Sequence, residues 1–90
     1  MSIDDIQRFI NNKTTEANEY VRITFKKRDP VFALFVKDNA DFKELKAKNF
    51  WRMVLRNNFD KYNKSKSIEH TRIFLGSEFS KLTSYTESFV

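Results

Sequence analysis

Apolar and polar positions alternate most regularly between Tyr20 and Val36. Val21, Ile23 and Phe25 interleave with Arg22, Thr24 and Lys26, a period of two that puts the apolar side chains on one face of an extended chain. Lys27-Arg28-Asp29-Pro30 breaks the pattern with charge and the sole proline, which fixes its own φ and donates no ladder hydrogen bond. Val31 to Val36 is then apolar on both faces, as expected of a central strand covered on both sides or of one bent sharply. The segment reads as a β-hairpin. Before it, Ile3, Ile6, Phe9 and Ile10 recur at helical spacing behind Ser2-Ile-Asp-Asp5, a capping sequence, so a short amphipathic helix ending near Asn11-Asn12 is expected. Such a stripe belongs on the sheet as a lid, or else on a partner. Lys13 to Glu19 is an unpatterned connector.

After the hairpin the pattern weakens. Asp41 to Lys48 fits one or two helical turns, with Phe42 and Leu45 at i, i+3, or a polar edge strand; it is read as irregular with a possible short helix. Asn49 to Leu55 is a third strand, with Trp51, Met53 and Leu55 on one face and Phe50, Arg52 and Val54 on the other. Arg52 between two apolar neighbours suits stacking on a ring or gripping a carboxylate or phosphate, against the plainer reading of a snorkelling surface arginine. Asn57 to Ser67 reads as a short helix pinned by Phe59 and Tyr62, with Lys61, Lys64 and Lys66 facing outward. Thr71 to Leu75 is a fourth strand with Ile73, Thr71 and Leu75 on one face. Gly76, the sole glycine, closes it, where a positive φ or a close backbone approach is expected. Phe79, Leu82 and Tyr85 form a last turn or strand, and the chain from Thr83 to Val90 is expected to be a loose tail. The fold class is α+β and mainly β. An N-terminal helix (1–13) precedes a strongly bent antiparallel sheet or SH3-like barrel of four to five strands (20–85), with a short helix inserted around 57–66 and a tail at 86–90, in one domain spanning 1–90.

Composition changes this picture in two respects. Ten Phe, three Tyr and one Trp in 90 residues supply more ring area than one small core is expected to hold. The net charge of +5 is uneven: residues 1–19 carry −2, residues 20–66 carry +8 and residues 67–90 carry −1. A basic middle attracts nucleic acid or another anionic surface, or is simply a solvated face.

Much chemistry is excluded. With one glycine there is no G-x-G-x-x-G and no phosphate-cradling loop, so no cofactor is expected. His70 is the only histidine and there is no cysteine, which argues against a metal site and against a disulfide scaffold. Glu69, its neighbour, would point to the opposite side of a strand. No nucleophile signature accompanies His70, so a catalytic role is not expected. Asp4 and Asp5 stand where a signal peptide would carry positive charge, and no apolar run approaches the ~20 residues of a membrane span. A soluble, cytoplasmic chain is the expectation.

The Ile6 to Ile10 helix, Val21-Arg-Ile-Thr-Phe25 as first strand and Ile73-Phe-Leu-Gly76 before a short last strand together resemble the small SH3-like barrels, within them the Sm-like (Hfq-like) family. The resemblance implies a barrel that forms rings and binds RNA. The chain has Arg28-Asp29-Pro30 where that family places a glycine, and His70 alone answers to its Tyr-Lys-His-Ala signature, so no binding residue is carried over.

Two functions compete at this stage. One is a non-enzymatic interaction module that self-associates, or binds a protein partner, through a sheet edge or the N-terminal helix. The other is binding of RNA or single-stranded nucleic acid, with Arg22, Lys26, Lys27, Arg28, Arg52 and Arg56 on phosphate and an exposed Tyr20, Phe50 or Trp51 stacking on bases.

Overall fold

The computed structural model describes residues 1–13 and 19–86. Its elements are α1 (Ile3–Lys13), β1 (Glu19–Phe25), β2 (Val31–Phe35), α2 (Phe42–Ala47), β3 (Phe50–Leu55), α3 (Phe59–Ser65), β4 (Arg72–Leu75) and β5 (Phe79–Thr86), with 3₁₀ turns at Arg56–Asn58, Ile68–His70 and Gly76–Glu78. The strands form one antiparallel sheet in the order β4-β3-β2-β1-β5. It is not closed, so of the two expected forms, a bent antiparallel sheet or a barrel, the chain shows an antiparallel sheet of five strands. Its two edge strands, β4 and β5, are nevertheless joined by the Gly76–Glu78 turn alone, and so short a link requires the sheet to curl until its edges approach at that end.

The hairpin forms as the alternation requires. Val21 pairs with Ala33 and Ile23 with Val31, and β2 lies at the centre of the sheet. Val21, Ile23, Phe25, Ala33, Trp51, Met53, Phe74, Phe79 and Leu82 build the principal core on the inner face. Ile6 and Ile10 of α1 complete it, with Ile3 and Phe9 packed alongside. The apolar stripe of α1 is thus a lid on its own sheet. The helix starts as its sequence dictates: the Asp5 N–H donates to Ser2 Oγ at 3.1 Å, a cap worth about 1 kcal/mol.

The opposite face carries a second, smaller core. Tyr20, Val36 and Val54 are buried yet lie outside the principal cluster. The Tyr20 ring meets Phe32 edge-on at 6.0 Å and Phe59 of α3 at 5.6 Å. The ring surplus is therefore divided between two faces of one sheet.

Several expectations need correction. Of the alternatives for the segment after Asp41, the short helix is the one that forms, as α2, and its Phe42 packs edge-on against Trp51 at 6.1 Å. In β4 the faces are reversed: Phe74 pairs with Trp51 and enters the core, while Ile73 pairs with Arg52 and faces out. β5 continues to Thr86 and pairs with β1 as far as Glu19, so Thr83 to Thr86 is strand rather than tail. Residues 14–18 of the connector and 87–90 of the tail lie outside the described residues.

Gly76 is the point on which the curl turns. Its φ is not positive; it is required by close approach. Its N–H donates to the Asn49 carbonyl at 2.7 Å, and a Cβ there would collide with Asn49 Oδ1 and stand 2.6 Å from Ile6 Cδ1. Asn49 itself has φ of 61°, a left-handed conformation that asparagine tolerates better than most residues. Its Oδ1 accepts the Trp51 indole N–H at 2.8 Å and its Nδ2 donates to the Met1 carbonyl at 3.2 Å. The Met1 amine in turn donates to the carbonyls of Gly76 and Phe79 at 3.0 and 2.9 Å.

Candidate functional site

The sequence-derived basic residues separate into three environments. Lys26, Lys27 and Arg28 are exposed on the β1–β2 turn. Arg28 lies over inner-face rings, its guanidinium carbon 4.9 Å from the Phe25 centroid and 5.6 Å from that of Phe74. Arg22 and Arg56 belong to the opposite face: Arg22 pairs in register with Phe32, and Arg56 stacks over Tyr20 at 5.7 Å. Arg52 is neither of these.

Arg52 is a structural residue. Its Nη2 donates to Asp41 Oδ2 at 2.6 Å and its Nη1 to Thr71 Oγ1 at 2.9 Å, tying β3 to the segment before α2 and to the entry of β4. It grips a carboxylate, as one sequence reading allowed, but an internal one. Nearby, the Tyr62 phenol is pushed above its ordinary range by burial first and by Asp38 second, with Arg52 opposing.

The aromatic half of the nucleic-acid reading is corrected as well. Tyr20 is 3% exposed and Trp51 1%, so neither ring is offered to a base. Phe50 is half-buried opposite Leu75. The basic side chains therefore do not converge beside an exposed ring. His70 sits in a 3₁₀ turn rather than a strand, and this brings Glu69 Oε1 to 3.6 Å from its Nε2. No cluster of metal-ligating side chains is found among the described residues, nor is any helix among them long and apolar enough to cross a membrane.

Sequence reasoning missed the edge at β4. Among the described residues, the exposed large apolar side chains are Ile68 at 54% and Ile73 at 45%. Ile73 lies in β4 and Ile68 in the 3₁₀ turn leading into it. β4 pairs only with β3, so its other edge has no strand partner among the described residues. The signal for this was weak: Ile73-Phe74-Leu75 is apolar throughout, and only the pairing of Trp51 with Phe74 settles which side chains face inward.

No known family model matches the chain, and neither a curated protein nor a solved structure is significantly similar to it.

Proposed function

We propose that the chain is a small non-enzymatic interaction module that self-associates through the β4 edge. The observation that carries this reading is the coincidence of an unpaired strand edge with Ile68 and Ile73, the exposed large apolar side chains among the described residues. Natural sheets protect such edges with charge, proline or cover, because an open ladder recruits another strand. Here the charge within β4 is Arg72, while Ile73 adds an exposed apolar side chain next to the open backbone groups. The same chain offers a complementary partner in β5, whose outer edge is also unpaired among the described residues. The curl of the sheet, with its edges chained by Gly76–Glu78, also supports the finer SH3-like, Sm-like reading of the fold.

The test is the oligomeric state by sedimentation velocity across about 5–200 μM, spanning the range of weak to moderate association. Wild type is expected to show a concentration-dependent dimer or higher species. Ile73→Lys, an edge charge of the kind that blocks strand addition, is expected to be monomeric with an unchanged circular dichroism spectrum. A wild type that stays monomeric over the whole range refutes the proposal.

A second reading keeps a specific observation in its favour. Lys26, Lys27 and Arg28 are consecutive and exposed, and no carboxylate lies within ion-pair distance of them among the described residues. On this reading single-stranded RNA binds by phosphate contact without stacking. Fluorescence polarisation would show affinity falling with salt, with a log–log slope of about −0.7 per phosphate contacted.

A further inference from the structure

The β1–β2 turn folds back on the Gly76–Glu78 turn because the Lys26 N–H donates to the Glu78 carbonyl at 3.0 Å. Between them lies a cleft of about 320 Å³ lined by Phe25, Lys26, Lys27, Arg28, Ser77 and Glu78. That volume is at the small end of ligand sites, roughly 300–1,000 Å³. It holds one compact molecule and not several units of a polymer.

The two walls differ in chemistry. One is cationic, and its arginine is already placed: the guanidinium carbon lies 4.9 Å from the Phe25 ring centroid and 5.6 Å from that of Phe74, a cation–π contact that holds the head of an otherwise exposed side chain, and the planar fork matches the oxygens of a phosphate. Lys26 and Lys27 flank it as mobile point charges. The other wall is Ser77, whose hydroxyl both donates and accepts, and Glu78, whose carboxylate only accepts. A bare anion would be repelled by Glu78, and a neutral polyol would leave the cations without a counter-charge. A molecule with phosphate at one end and hydroxyl groups at the other satisfies both walls.

We propose that this cleft binds a sugar phosphate, with Arg28, Lys26 and Lys27 on the phosphate and Ser77 and Glu78 on the sugar hydroxyls. The site is independent of edge pairing, since no β4 residue lines it. A free sugar phosphate and the 5′-phosphorylated end of an RNA present the same group.

Isothermal titration of the full chain at low ionic strength tests the assignment with inorganic phosphate, ribose 5-phosphate and a short RNA with or without a 5′-phosphate. Ribose 5-phosphate is expected to bind at least about tenfold more tightly than inorganic phosphate. Arg28→Lys keeps the charge but not the planar fork and is expected to weaken ribose 5-phosphate about tenfold. Glu78→Gln is expected to strengthen inorganic phosphate and so narrow the preference. RNA binding that depends on the 5′-phosphate would identify a chain end as the source, and binding of ribose 5-phosphate alone would identify a free metabolite; both uphold the site. Equal or absent binding of phosphate and ribose 5-phosphate overturns it, as does an affinity unchanged in folded Arg28→Lys. If Arg28→Lys fails to fold, the exposed Lys27→Gln carries the same test.

Discussion

Gly76 and Asn49 show how much of the fold rests on single atoms. Gly76→Ala places a methyl group against Asn49 Oδ1 and Ile6 Cδ1, and overpacking of this kind costs roughly 1–3 kcal/mol. Urea denaturation is expected to show a midpoint lowered to match, with the slope unchanged. Asn49→Ala removes the acceptor of the Trp51 indole and leaves a buried donor unsatisfied, for a loss of about 1–3 kcal/mol. Asn49→Gly relieves the φ of 61° but not the lost hydrogen bond, and is expected to fall between Asn49→Ala and wild type in the same denaturation experiment. Tyr62 supplies a pH dependence. Its folded pKa is raised from 10.0, so above about pH 10 the unfolded chain releases this proton more readily than the folded one. Stability contributed by the neutral phenol is intact below that pH and is lost as pH rises through the folded value. A melting temperature followed from pH 9 to 11 is expected to fall, and Tyr62→Phe to fall less. The sequence offers a positive φ or a close approach as the reason for Gly76 and does not choose between them, because the atoms that decide it come from α1 and from Asn49, just before β3. Asn49 carried no local signal beyond its residue type.

At the level of elements, legibility tracked length and alternation. α1 and the β1–β2 hairpin could be read because each repeats its period over several turns or pairs, so one ambiguous position does not change the pattern. β4 has four residues, three of them apolar, and its inward face is decided by β3 rather than by itself. α3 was visible through Phe59 and Tyr62, although what it covers was not. It packs on the face carrying Tyr20, where none of its own residues is fully buried, so it is held mainly by ring contacts. Phe59→Ala is expected to destabilise the protein by about 1–3 kcal/mol, less than a fully buried phenylalanine would lose. In hydrogen exchange, amides of α3 are expected to open at lower free energy than those of β3, as suits a thinly packed element. Equal protection of the two would show that α3 belongs to the main cooperative unit.

For the whole molecule, the aromatic content exceeds what one small core is expected to hold. The sheet instead packs rings on both faces, and among the described residues the large apolar side chains left exposed, Ile68 and Ile73, are aliphatic and lie at the β4 edge. The basic middle of the sequence is likewise dispersed: the turn, the outer face and an internal ion pair each take a share. Charge totals could not foresee this, because residues adjacent in sequence were sent to different faces by the pleat. Topology also carries a kinetic expectation. β5 returns across most of the chain to pair with β1 along seven register positions, and such long-range pairing is slow to form. Removing Phe79 to Val90 deletes two core side chains, Phe79 and Leu82, together with one of the two strands paired with β1. Circular dichroism of that truncation is expected to show an unfolded chain.

The Gly76–Glu78 turn has a final implication for how this protein loosens. Ile6 of α1, the side chain and carbonyl of Asn49, and the link between the two edge strands meet at one glycine. The helix therefore cannot lift away without freeing the bend, nor can the bend relax without displacing the helix. Partial opening should take both or neither, so amides of α1 and of the β4–β5 junction would share a single exchange free energy despite lying some seventy positions apart in the sequence.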